Sequence, residues 1–488
     1  MQAQTLLNKP MLLAGEWVMR EETIDVLDPK DNGLIAKVPA ASKEDAMFAI
    51  QAGLEGAKVA ANLSSFERIS ILTKAANYVE KNHEDFARMI ALEGSKTIRE
   101  ARKEVTRCVN TLRVSAEEVR RLNGETIPFD QMSGSEDRVG YYYRIPIGLI
   151  VAITPFNDPL NLVAHKIGPA IASGNAIIVK PATVTPLSAL KLAEAFVNAG
   201  LPKKVLTIIT GHSKEIGEEL VTHPDVRMVS FTGGVEAGEK IAKTAGLKKL
   251  AMELGSNSPC IVMADADVNE AVSSLVSGSF WAAGQNCLGV QRIYVDEQIY
   301  EEFERKFVSR TRAYVIGDKL LDTTDIGPMI TEKEALRVET WVNEAVEKGA
   351  TILCGGKRNG AYYDPTIVTR LPSDCTLATE EVFGPVVILY PINNIKEAIE
   401  KANDAKYGLQ AGIFTKNLDH AFYAIRHIEV GGIMVNDSSD YRIDSMPFGG
   451  LKQSGLGREG VKYSILEMTE PKVVCFKTMA VTLASAGL

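Results

Sequence analysis

The six cysteines (Cys108, Cys260, Cys287, Cys354, Cys375 and Cys475) contain no C-x-x-C pair, so their spacing indicates neither a zinc site nor a disulfide framework, and no metal is expected. No apolar run approaches the ~18 residues of a membrane span. The first residues, Met1-Gln2-Ala3-Gln4-Thr5, lack a basic segment followed by an apolar one, so a cytoplasmic, reduced protein is expected. Basic residues are not in excess: 54 Lys and Arg stand against 62 Asp and Glu, a net charge of −8. That balance carries no electrostatic footprint for nucleic acid or an anionic membrane, and neither is expected as a partner. Also missing is a G-x-G-x-x-G run after a strand, so the usual dinucleotide fingerprint is absent.

What is present is an ordinary soluble composition, 45% hydrophobic and 24% charged, in 488 residues. A chain of that length splits into more than one lobe. From residue 147 short β-rich runs alternate with helical ones: strands at 147–154, 176–180, 205–210, 226–232 and 249–254, helices at 160–173, 187–198, 214–221 and 235–245. Successive βαβ units predict a doubly wound parallel sheet with its ligand crevice at the carboxyl edge. A second α/β series begins at Pro259-Cys260-Ile261-Val262, with a helix over 268–283 and a strand over 292–295, and runs past residue 430. Residues 43–91 and 97–123 read as amphipathic helices. Two orphan strands, 137–144 and 471–476, are expected to pair in a small flap, within or across subunits.

Two glycine-flanked segments carry the chemistry, Met252-Glu253-Leu254-Gly255-Ser256-Asn257 and Gly284-Gln285-Asn286-Cys287. A carboxylate and a thiol, each placed at a turn after an apolar run, supply a general base and a nucleophile for covalent work on a carbonyl. Four further motifs accompany them: Thr154-Pro155-Phe156-Asn157, Val179-Lys180-Pro181-Ala182, Phe231-Thr232-Gly233-Gly234 and Glu381-Val382-Phe383-Gly384-Pro385. With Met446-Pro447-Phe448-Gly449-Gly450-Leu451-Lys452, this ordered set resembles the aldehyde dehydrogenase superfamily from about residue 10 to residue 475.

The resemblance implies an α/β fold with two doubly wound lobes and a β oligomerisation flap. It divides the chain into a dinucleotide-binding domain (1–123 and 147–254), a catalytic domain (255–465) and the flap (124–146 and 466–488), assembled as a homodimer or homotetramer. Cys287 is then the nucleophile, Asn157 the oxyanion-hole amide and Glu253 the base for thioester hydrolysis, so release of a free acid is expected. NAD or NADP would be held by Thr154, Pro155, Phe156, Lys180, Thr183, Phe231, Thr232, Gly233, Gly234, Leu254, Glu381 and Phe383. Family members often carry serine where Gly234 stands, and NAD-selective ones a glutamate where Thr183 stands, so NADP should be tolerated. A coenzyme A-acylating semialdehyde dehydrogenase and a succinate-semialdehyde-type dehydrogenase are the alternatives.

Asp158 and His165 occupy positions where relatives acting on apolar aldehydes carry aromatic rings. Together with Arg107 and Arg442, two arginines suited to a carboxylate, phosphonate or sulfonate, they predict a small polar, anionic aldehyde. The pattern is most similar to the subgroup acting on lactaldehyde, phosphonoacetaldehyde and sulfolactaldehyde. The other reading of the arginines is ordinary ion pairing, Arg107 with Glu104 or Glu118 and Arg442 with Asp440 or Asp444.

Overall fold

Helices in the first part of the chain begin where the sequence can cap them. In the computed structural model, which describes residues 7–478, Ser42, Ser64 and Thr97 each close a capping box with Asp45, Glu67 and Glu100. Each box satisfies two amide donors that a helix start leaves open, and a lost N-cap costs about 1 kcal/mol. These caps break the long helix expected over 43–91 into three, Lys43–Ala61, Ser65–Lys81 and His83–Glu93. The apolar period runs on through the breaks because all three helices bury one stripe, so periodicity alone does not show them. The next helix, Ile98–Glu118, ends five residues before the expected boundary and passes through a short 3₁₀ turn, Val119–Arg121.

An eight-stranded sheet holds the first core. Four of its strands, Lys249–Glu253, Val226–Thr232, Leu149–Ile153 and Ala176–Lys180, lie side by side in parallel, pairing Phe231 with both Met252 and Ile153, and Ile153 with Lys180. That register aligns Thr154, Lys180, Thr232 and Glu253 along one carboxyl edge. The chain runs outward from 149–153 through 176–180 to Leu206–Ile208, then returns to the other side of 149–153 with 226–232. This reversal is the switch point at which open α/β sheets bind ligands.

Only four residues separate Glu253 from the strand Ser258–Val262, which opens a second sheet of seven strands. The chain therefore crosses between the two sheets directly after Glu253. Near its end it crosses back: Gly455–Leu456 pairs antiparallel with 249–253, and the helix Val461–Glu467 packs on Asn161–Ala172. The flap strands Arg138–Pro146 and Thr469–Lys477 pair with each other inside the one chain, Tyr141 opposite Val474, with Glu125–Ile127 on the outer edge. Residues 1–6 and 479–488 of the expected outer domain and flap lie outside the described residues.

Candidate active site

Cys287 sits at the end of a turn that the backbone resists. The expected helix over 268–283 stops at Phe280, and Ala282 and Ala283 take φ of 51° and 54°, followed by Gly284 at 69°. Left-handed backbone costs an L-residue roughly 1–2 kcal/mol, so neighbours must hold this turn. Gly284 passes so close to the next loop that a Cβ would lie 2.1 Å from the Gly384 carbonyl. Gln285 donates to the Ala282 carbonyl (3.0 Å) and accepts from the Ile330 amide (2.9 Å), while Glu100 accepts the Ala282 amide (2.8 Å).

The turn sets Cys287 in the wall of a cavity of about 790 Å³, which Asn157, Asp158, Arg107 and Arg442 also line. Five residues from four separate stretches of sequence thus converge. Half-buried, the Cys287 thiol is pushed up to about 12 by burial; Arg442 draws it down, and Glu381, Glu253 and Glu459 push it up. At rest it holds its proton. Glu253 is buried beside the wall, and its Oε2 makes no hydrogen bond to the described residues. Burial and the nearby Glu459 push its pKa well above the usual carboxylate range, against the pull of Lys166, Arg442 and Arg458. Lys166 and Glu459 form a buried ion pair of 2.8 Å, and burial opposed by Lys166 and Arg442 leaves Glu459 well below that range. A carboxyl group whose surroundings favour its proton therefore lies close to a charged pair.

All four residues expected to meet substrate are engaged with other side chains. His165 is completely buried, donates to the Asp444 carboxylate (2.9 Å) and does not line the cavity, so its expected substrate contact is corrected to a supporting one. Burial lowers its proton affinity. Arg442 reaches the cavity, yet its guanidinium pairs with the buried Glu459 (2.7 Å) and lies 3.8 Å from the centre of the Phe448 ring. Its partner is neither Asp440 nor Asp444. Arg107 bridges Asp444 (3.0 Å) and Asp158 (3.4 Å), across to other elements and not along its own helix. Sequence reasoning missed two lysines that also line the cavity. Lys96 is buried between Glu104 (2.8 Å) and Asp158, whereas Lys103, one helical turn before Arg107, lies 4.9 Å over the Trp281 ring with no ion pair among the described residues.

The expected dinucleotide residues occupy the carboxyl edge of the first sheet and the loop facing it. The hydroxyls of Thr154 and Thr232 are buried without a hydrogen-bond partner among the described residues, which marks a polar crevice that a ligand with acceptors and hydroxyls would complete. Lys180 is buried without a carboxylate partner, its Nζ donating only to the Pro181 carbonyl (3.3 Å), and burial lowers it to about 8. Thr183 beside it donates to the Gly211 carbonyl (3.3 Å). Gly233 and Gly234 precede the helix Val235–Thr244, whose N-cap, Gly234, has open space where a side chain would stand. Its first amides are available to an anion. Phe231 and Leu254 pack together beneath. Phe156 and Phe383 meet edge to face, ring centres 5.7 Å apart, and bring the loop holding Pro155 and Asn157 against that of Glu381. Glu381 accepts from the Ser256 amide (2.9 Å), an approach that only glycine at position 255 permits, since a Cβ there would lie 2.2 Å from the carboxylate. Burial raises Glu381 to about 7. These residues fit a dinucleotide.

A half-buried thiol, a buried carboxyl group and a polar crevice at the carboxyl edge of a doubly wound sheet are the arrangement of an oxidoreductase. Residues 17–474 match the aldehyde dehydrogenase family, and the chain belongs to it, an NAD(P)-dependent aldehyde dehydrogenase. The chain is 52% identical over 459 residues to aspartate-semialdehyde dehydrogenase 1 of Pseudomonas canavaninivorans, covering 94% of this chain and 97% of that protein. It is 48% identical over 460 residues to 3-sulfolactaldehyde dehydrogenase of Priestia aryabhattai, covering 94% and 96%. Its structure superposes on aldehyde dehydrogenase 21 of Physcomitrella patens, a complex with the reaction product succinate, with a TM-score of 0.96, 40% identity and coverage of 98% and 100%. Other solved relatives are complexes with NADP. Among the described residues no helix is long and apolar enough to cross a membrane.

Proposed function

We propose that this protein oxidises a small polar aldehyde carrying an anionic group to the carboxylic acid. The Cys287 thiol gives up its proton to solvent as Sγ bonds to the aldehyde carbon, and the carbonyl oxygen becomes an oxyanion held by the Asn157 amide and the Cys287 backbone N–H; losing one such donor costs roughly 10²–10³ in rate. NAD or NADP, when bound, supplies the hydride acceptor. The resulting thioester is opened by water, from which Glu253 takes the proton; the carbon–sulfur bond breaks and the acid leaves. The observation that carries this reading is Cys287 in the wall of a cavity that Asn157 and several charged side chains also line. Residues 1–123 and 147–254 form the dinucleotide-binding part and 255–465 the catalytic part in this reading. The exposed flap residues Val139, Tyr141, Tyr143 and Phe476 support a homodimer or homotetramer.

Lys103 supports an anionic substrate, because it is the cavity cation without a carboxylate of its own. Replacing it by methionine keeps length and removes charge. For succinic semialdehyde or 3-sulfolactaldehyde, Lys103→Met should lower kcat/KM by the ~1.5–3 kcal/mol of a hydrogen bond to a charged group, roughly 10- to 100-fold. Neutral lactaldehyde should barely change. Arg107→Leu should instead impair all three substrates, since it removes a cation shared by Asp158 and Asp444. Equal losses for charged and neutral aldehydes in Lys103→Met would exclude the anion contact. Glu270, Asp437 and Asp440 also line the cavity and favour a second reading, a semialdehyde that bears an ammonium as well as a carboxylate. Aspartate semialdehyde in the same assay decides between them. NAD(P)H formation without coenzyme A separates either from acyl transfer to coenzyme A.

Thr183 and Lys180 support tolerance of NADP. A glutamate at 183 would face a 2′-phosphate, and two unit charges about 4 Å apart repel by about 1–4 kcal/mol between bulk-water and protein-surface dielectric limits. Thr183→Glu should therefore weaken NADP by roughly tenfold or more and leave NAD nearly unchanged, measured by titration of each cofactor. Equal weakening of both would show that position 183 does not meet the 2′ position.

A further inference from the structure

We infer that Glu100 is a positioning residue for the nucleophile, holding the left-handed turn before Cys287 through the Ala282 amide; this rests on reading Cys287 as the nucleophile. Glu100 has an evident local role, since its Oε2 accepts from the Thr97 amide (2.8 Å) and hydroxyl (3.1 Å) as the third residue of a capping box. That role employs one oxygen. The other, Oε1, reaches across the two sheets to the Ala282 amide at 2.8 Å, a contact spanning 182 residues of sequence. Ser42 and Asp45 form the same kind of box with an aspartate, so the longer side chain is not required for capping. What the extra methylene adds is the reach to Ala282.

Ala282 is where such a restraint acts on the site. It is the first of three successive residues at positive φ, two of them alanines, and nothing in their own conformational preferences keeps them there. Its carbonyl is fixed by Gln285 and its amide by Glu100, so both backbone polar groups of the strained residue are tied, one within the turn and the other to the helix Ile98–Glu118. Glu100 is 6% exposed, and the Ala282 amide it takes up is likewise away from solvent. Without the carboxylate that amide is unpaired, and the turn relaxes toward right-handed or extended backbone. Cys287 follows five residues later, and its backbone N–H and Sγ both move with the turn.

Glu100→Asp separates the two roles. Aspartate is shorter by about 1.5 Å, one carbon–carbon bond, and caps the helix while falling outside hydrogen-bond range of Ala282. Thr97→Ala removes the capping hydroxyl and leaves the Glu100 carboxylate in place to accept from Ala282. With NADP and lactaldehyde, succinic semialdehyde or 3-sulfolactaldehyde, whichever the wild type turns over, Glu100→Asp should slow the pre-steady-state burst of NADPH roughly 10- to 100-fold, the cost of a misplaced reacting atom. Cofactor affinity and the thermal midpoint should stay near wild type, and Thr97→Ala should keep most of the burst rate. Alkylation of Cys287 by iodoacetamide, followed on its own peptide by mass spectrometry, needs no aldehyde. It should quicken severalfold in Glu100→Asp and not in Thr97→Ala, because a relaxed turn exposes a thiol that burial keeps protonated. A wild type that turns over none of these aldehydes would overturn the substrate class proposed above, and the alkylation rates would still test Glu100. A Glu100→Asp protein with wild-type burst and alkylation rates, or one whose burst falls only in step with its thermal midpoint, would overturn the inference.

Discussion

Cys287→Ala should abolish dehydrogenase turnover and leave dinucleotide binding intact. Sulfur is the only atom in the turn that can form a bond to the aldehyde carbon, and the crevice with Lys180, Thr154 and Thr232 lies at the end of a different sheet. Loss of a covalent nucleophile reduces kcat by roughly 10⁴-fold or more, whereas the packing change is small because Cys287 is only half-buried. Steady-state NAD(P)H formation, with cofactor titration on the same preparation, checks both halves. Residual turnover above about a tenth of wild type is incompatible with covalent catalysis at this residue. Cys260, completely buried in the strand Ser258–Val262 and not lining the cavity, provides no substitute nucleophile.

How much of this was legible in the sequence depends on how far each signal reaches. The alternation of strands and helices after residue 147 is a local pattern, and the strands at 176–180 and 226–232 fall where it places them. Glu253 and Cys287 stand in glycine-marked turns, another local signal. The helix expected over 43–91 failed at Asn62–Ser64 and Asn82, where caps interrupt a stripe that periodicity reads as continuous. Ion pairing was the least legible. Arg442 finds Glu459 17 residues on, and His165 finds Asp444 279 residues away; composition cannot say which carboxylate claims which cation. The sequence reading passed over Lys96 and Lys103 for the same reason. Glu100 carried a readable signal, the T-x-x-E capping box, but only for the role of its first oxygen. Its second oxygen, and the left-handed alanines it meets, belong to the tertiary structure.

Glu253→Gln should leave the first half of the reaction and stop the second. The amide is nearly isosteric with the carboxylic acid that burial and Glu459 maintain at this position, so the cavity and the cofactor crevice should keep their shape. One equivalent of NAD(P)H per site should form in a burst, followed by slow release of the acid, because an amide takes no proton from water. The pH dependence has a definite sign. Glu253 acts as a base only when deprotonated, and its proton is held well above the usual carboxylate range, so the hydrolytic rate of the wild type should climb as pH rises past that range. In the variant that climb should vanish, leaving only the shallower slope of direct hydroxide attack. Stopped-flow traces at several pH values, with the acyl-enzyme trapped by acid and weighed, distinguish the steps. Full cofactor binding without a burst would move Glu253 into the attack of Cys287 itself, as the base that takes the thiol proton.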